Sequence, residues 1–197
     1  TAWAAVAFTP ATDNDLAATL TTRVRVAAIT GPADGTISLN VTALNDAPTA
    51  TNLTQNQSCT EGAASVALED IVVSDVDTGE TITATLTLSP TTTGSLTTSG
   101  TATYTSDTGL WTITGTVTAV NTALAAVSFT PATNNDIAAA ITTRVRDAAN
   151  TGPTDGSITL NVTAVNDAPS LSGGPFTLTG TNEDTTSSGT SVWAILS

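Results

Sequence analysis

The chain has 197 residues, of which 17 are acidic and 4 basic, giving a net charge of −13. All four cations are arginine, and without lysine or histidine there is no Ser-His-Asp or Cys-His catalysis, no Schiff-base lysine and no histidine metal site. Nucleic acid is disfavoured as a partner, because phosphate binding rests on lysine and arginine, whereas carboxylates and the hard cations they hold remain available.

Threonine supplies roughly a quarter of the residues and aromatics only 4%, a composition that reads as folded and β-rich rather than as an acidic tail. The first apolar run, Ala2 to Phe8, is far too short to cross a membrane, so no membrane insertion is expected. The chain opens on Thr1 with no leader pattern, and the expectation is a piece of a longer polypeptide.

Residues 5–48 recur at 126–169 at a constant offset of 121, with 33 of 44 positions identical and no gap. Such self-similarity means a tandem array with a 121-residue period. Three pieces follow: residues 1–48 end one repeat, 49–169 form a complete one, and 170–197 begin a third. Arg23 and Arg25, echoed by Arg144 and Arg146, share one face of a strand, and neutralisation of nearby carboxylates is preferred over a ligand-binding face. The loops Asp13-Asn14-Asp15 and Asn134-Asn135-Asp136 read as solvated turns.

Further along, Cys59 stands alone and excludes an internal disulfide. Thr81 to Leu88 alternates threonine with apolar residues, the period of a half-buried strand. Trp111, Ile113 and Val117 punctuate a second such stretch, and Ile158, Leu160 and Val162 a third. Between them, residues 121–126 break the alternation and predict a short helical turn capped by Asn121. Trp3, Trp111 and Trp193 read as packing rather than as a sugar platform. Short strands with glycine turns between them predict an antiparallel sandwich.

The acidic residues cluster around the joins. Asn45-Asp46-Ala47-Pro48 returns as Asn166-Asp167-Ala168-Pro169; Glu61 and Glu183 follow these joins at fifteen and sixteen residues, and Asp75 and Asp77 stand at i and i+2 in a loop. Asp147 follows the strand that ends at Arg146. By itself Asn-Asp-Ala-Pro is also a turn and a strand stop, so both readings of the join stand.

Taken in order, these residues resemble the cadherin-like tandem repeats of giant secreted bacterial adhesins. The resemblance implies all-β, Ig-like/cadherin-like Greek-key β-sandwich modules in tandem, with calcium at each junction. It implies Asn45, Asp46, Glu61, Asp75, Asp77 and Asp147 as calcium ligands at the first junction. Asn166, Asp167 and Glu183 would begin a second, incomplete one. The linker is one residue shorter than in cadherins proper and lacks a leading aspartate, which implies one or two ions per junction rather than three. Val26 stands where the second copy has Asp147.

The implied function is non-enzymatic: a calcium-stiffened extender or stalk of a bacterial extracellular adhesin or surface fibre. Its partners would be neighbouring repeats, or copies of itself joined head to tail by strand complementation. The alternative is a calcium-dependent module that binds surface polysaccharide. A glycosidase built on Asp75 and Asp77 is disfavoured, because the two share one loop instead of facing across a cleft.

Overall fold

The computed structural model describes residues 5–14, 16–25, 31–168, 180 and 182–186. Trp3, Asp15, Val26, Pro169, Trp193 and the strand-like tail stretches 176–178 and 192–196 lie outside them. Contacts divide the chain into two units, Thr1–Ala164 and Val165–Ser197.

In the first unit, β1 (Ala18–Thr22) and β2 (Gly35–Leu39) form an antiparallel hairpin. There follow β3 (Thr49–Ala50), β4 (Gln55–Thr60), β5 (Val66–Ala67), β6 (Val73–Ser74) and β7 (Ile82–Ser89). A 3₁₀ turn (Thr91–Thr93) leads to β8 (Gly94–Leu96), β9 (Thr103–Thr105) and β10 (Leu110–Gly115). Helix α1 (Val117–Leu124) precedes β11 (Ser128–Pro131), β12 (Ala139–Arg146) and β13 (Gly156–Thr163).

Strands β4-β13-β12-β7-β10-β9 make one six-stranded sheet, and β5-β11-β8 with the pair β3-β6 make the opposing layer. Neighbours such as β7 and β12, or β5 and β11, are far apart in sequence, so the connections cross between layers in Greek-key fashion. This is the all-β sandwich the sequence predicts, but it is not wholly antiparallel: β4 runs parallel to β13. Its core is one apolar cluster running from Leu53 to Leu160. The period-two pattern of β7 explains its central place: Ile82, Ala84, Leu86 and Leu88 all point inward, while the threonines between them face out.

The buried Trp111 satisfies its indole N–H on the Thr97 carbonyl at 3.0 Å, so its role is packing, as expected. At the mouth of β13, Gly156 lies against the Leu53 carbonyl, where a Cβ would collide with backbone. Thr143 in the neighbouring strand donates its hydroxyl to that same carbonyl at 2.8 Å.

Two local expectations need correction. The helix begins four residues earlier than predicted, and its N-cap is Thr116, whose hydroxyl accepts from Ala119 N. Asn121 lies inside the helix, and its amide pairs with both backbone groups of Val73: Nδ2 donates to the carbonyl at 2.9 Å and Oδ1 accepts from the N–H at 2.8 Å. The second concerns the Asn134-Asn135-Asp136 loop, a turn as expected but not fully solvated. Asn135 is buried and closes the turn on Ile137 with its own side chain.

The hairpin β1–β2 reproduces β12–β13 residue for residue: Ala18 faces Leu39 as Ala139 faces Leu160, and Thr22 faces Gly35 as Thr143 faces Gly156. The arginines do neutralise carboxylates. Arg23 and Arg25 pair with Asp34, and Arg144 and Arg146 pair with Asp155. Even the backbone contacts repeat, since Arg25 donates to the Pro32 carbonyl and Arg146 to that of Pro153.

Candidate metal centre

Sheet register gathers residues that are distant in sequence. Arg146 at the end of β12 pairs with Thr83 near the start of β7, so Asp147 emerges beside the segment that leads into β7. Thr49 in β3 faces Ser74 in β6, which sets the preceding linker, with Asn45 and Asp46, alongside Asp75 and Asp77. Three chain segments therefore converge on one end of the sandwich.

Contacts follow from that convergence. Asn45 Nδ2 donates to Asp147 Oδ2 at 3.0 Å, and the backbone N–H of Asp46 donates to Asp77 Oδ2 at 2.7 Å. Two consecutive linker residues thus tether two carboxylates that are 70 positions apart in sequence. Asp77 N in turn donates to Asp75 Oδ1 at 3.0 Å, closing the Asp-x-Asp loop on itself. Thr151 donates its backbone N–H to Asp147 Oδ1 at 2.7 Å and its hydroxyl to Oδ2. An open cleft of about 340 Å³ lies here, lined by Asn45, Asp77, Thr78, Gly79 and Glu80 among others.

Asp75, Asp77 and Glu80 bring one carboxylate oxygen each within 4.8 Å of one another. Asp75 Oδ2 and Glu80 Oε2 are shut off from solvent and have no hydrogen-bond partner. Loss of water around Glu80, followed by the charges of Asp147, Asp75 and Asp77, pushes its carboxyl above the ordinary range, against a backbone bond from Ala148. Asp147 goes the other way: burial works to raise it, but the bonds from Asn45, Thr151 and the local backbone outweigh that and hold it below the usual range. Paired donors thus stabilise one carboxylate, while the others crowd together with unused lone pairs. Such a set of oxygens fits a hard divalent cation, and it holds no nitrogen or sulfur that would favour zinc.

Of the six residues implied for this junction, Asn45, Asp46, Asp75, Asp77 and Asp147 are brought together. Glu61 is not. Its N–H bonds the Thr163 carbonyl at 2.9 Å, beyond the far end of β4 and at the opposite pole of the sheet from Asp147. The parallel run of β4 along β13 puts it there, a pairing that the spacing from the join could not reveal. Glu80 was missed at the sequence level, although its place one residue after Gly79 in the Asp-x-Asp loop was a usable signal. Asn121 was read only as a helix cap; by clamping Val73 it instead fixes the strand that leads into Asp75.

In the second unit Asn166 Nδ2 donates to the Asp167 carbonyl at 3.2 Å, the bond that Asn45 makes to Asp46. Glu183 lies in a turn closed by Thr185 N on the Asn182 carbonyl.

No family model matches the sequence, and no curated protein matches it. Among solved structures the chain is similar to the crystal structure of the human Desmocollin-1 ectodomain, at 12% identity and a TM-score of 0.35. The match covers 71% of this chain and 25% of that one, so the chain spans about a quarter of its length.

Proposed function

We propose that the chain is a non-enzymatic structural segment of an extracellular fibre or adhesin, whose repeat is ordered at the join by calcium. The observation that carries this reading is the pair of solvent-shielded, unpartnered oxygens, Asp75 Oδ2 and Glu80 Oε2, in a cluster already tied to the linker through Asn45 and Asp46. Asp75, Asp77, Glu80 and Asp147 would hold the ion, and Asp46 and Asn45 would anchor the linker to their outer oxygens. Bound calcium supplies the positive charge that lets these carboxylates stay ionised side by side. The linker is then held from two directions, through its own amides and through the carboxylates it tethers. A stiff join is the useful product of that arrangement, and a bacterial surface is the setting this reading assigns.

Among the described residues no helix is long and apolar enough to cross a membrane. The sugar-binding alternative gains nothing from Trp111, which is fully buried.

Calorimetric titration with calcium tests the proposal. Extracellular modules of this chemistry bind at about 10⁻⁴–10⁻³ M. At ten times the dissociation constant, binding adds ~1.4 kcal/mol to stability. A melting temperature higher by about 5 °C in millimolar calcium than in chelator is expected. An unchanged melting temperature, together with no binding heat up to 10 mM, would refute it.

A further inference from the structure

The repeat allows one half-module to be compared with its own completed copy. Hairpins β1–β2 and β12–β13 share register, sequence and arginine–aspartate pairs, yet their apolar faces differ completely. Phe8 is 48% exposed where Phe129 is 0%, Ile37 is 47% where Ile158 is 0%, and Val6 is 87% where Val127 is 3%. Between these exposed side chains lies a hollow of about 230 Å³ lined by Val6, Phe8, Leu20, Thr22, Ile37 and Leu39. Isolated exposed hydrophobics are ordinary, but a contiguous apolar face on a two-stranded sheet is not stable uncovered.

The completed copy states what covers it. There β7 adds antiparallel to the free edge of β12, with Leu88 opposite Ile141, Leu86 opposite Thr143 and Ala84 opposite Val145. On the other side β4 adds parallel to β13, with Gln55 opposite Ile158. Shifting by 121 residues, the same two strand types would meet Leu20 and Thr22 on β1, Val24 just beyond its end, and Ile37 on β2. No exchange between two copies of this chain satisfies every face. Each chain carries two such hairpins and only one segment of the 49–121 type, so a swap uncovers one face for each it covers.

We propose that the apolar face of β1–β2 is a docking surface for a further segment of the 49–121 type, carried ahead of it on the same polypeptide. The segment pairs with both hairpin edges in the registers above and completes a second sandwich. Calcium plays no part in this assignment, which holds or fails whether or not the join binds metal.

The test is an in-phase fusion: a duplicate of residues 49–121 placed directly before Thr1, which continues the repeat because Thr1 is the counterpart of Thr122. Hydrogen exchange is read on β1, β2, β12 and β13, in chelator and in calcium. The expected result is that amides of β1 and β2 exchange at least about tenfold more slowly in the fusion than in the 197-residue chain, approaching β12 and β13. In the same fusion, Leu20→Asp returns β1 and β2 to fast exchange and leaves β12 and β13 protected. Unchanged exchange of β1 and β2 in the fusion overturns the proposal. So does concentration-dependent protection of these strands in the 197-residue chain, which would give the face to a second copy.

Discussion

Glu80 and Asp147 sit in one cluster with opposite protonation tendencies, and the difference lies in their donors. Asp147 accepts from Asn45 and Thr151, whereas Glu80 has one oxygen with no partner and three like charges nearby. In calcium-free protein a raised carboxyl holds its proton longer when folded than when unfolded. Stability therefore falls as pH climbs from the ordinary carboxylate range to the raised value of Glu80. For Asp147 the sign reverses: its contribution is full above the ordinary range and is lost as pH falls through its lowered value. Glu80→Gln is accordingly expected to raise the melting temperature of the calcium-free chain at pH 7 and to weaken calcium binding by about tenfold or more. Melts in chelator and calorimetry in calcium check the two halves separately. At the ion pairs the expectation is smaller. Asp155→Ala removes a partner from Arg144 and Arg146 at an exposed site, and a loss of less than about 1 kcal/mol in denaturant unfolding is expected.

At the level of elements, the clamp between helix α1 and strand β6 links fold to site. Asn121 satisfies both backbone groups of buried Val73, a position two residues before Asp75. Asn121→Ala leaves a buried N–H and C=O without partners and is expected to cost about 2–4 kcal/mol, measured by denaturant unfolding. It is also expected to weaken calcium binding, although Asn121 touches no carboxylate, because the Asp75–Asp77 loop loses its fixed root. Strand β7 was legible from the sequence, since its alternation of threonine with Ile82, Ala84, Leu86 and Leu88 has only one periodic reading. The helix was legible as a break but not in extent or cap. Asn121 looked like a capping residue because the sequence alone does not show a backbone 48 residues away that needs its amide. Short β3, β5 and β6 carry two residues each, too few for any period to appear.

For the molecule as a whole, the 121-residue period was the strongest sequence signal, and the shared hairpin geometry reproduces it in space. Register was the hidden quantity. Five of the six residues implied for the first join converge because β12 runs beside β7 and β3 beside β6. Glu61 is carried to the other pole because β4 runs parallel to β13, and no spacing along the chain encodes that choice. Small-angle scattering with and without calcium belongs at this scale. A narrower distribution of dimensions in calcium is expected, and an identical profile would count against ordering of the join.

The parallel pairing of β4 with β13 bears on how a module carries load. Six residue pairs join the two strands, from Gln55 with Ile158 to Thr163 with Thr60. One strand belongs to the module's incoming chain and the other to its outgoing chain. Because they run in the same direction, a pull on the two ends drags them lengthwise past each other and strains the six pairs together. An antiparallel arrangement would let them peel apart one at a time. Tension along such a chain therefore meets its resistance first in this ladder, before it reaches the apolar core.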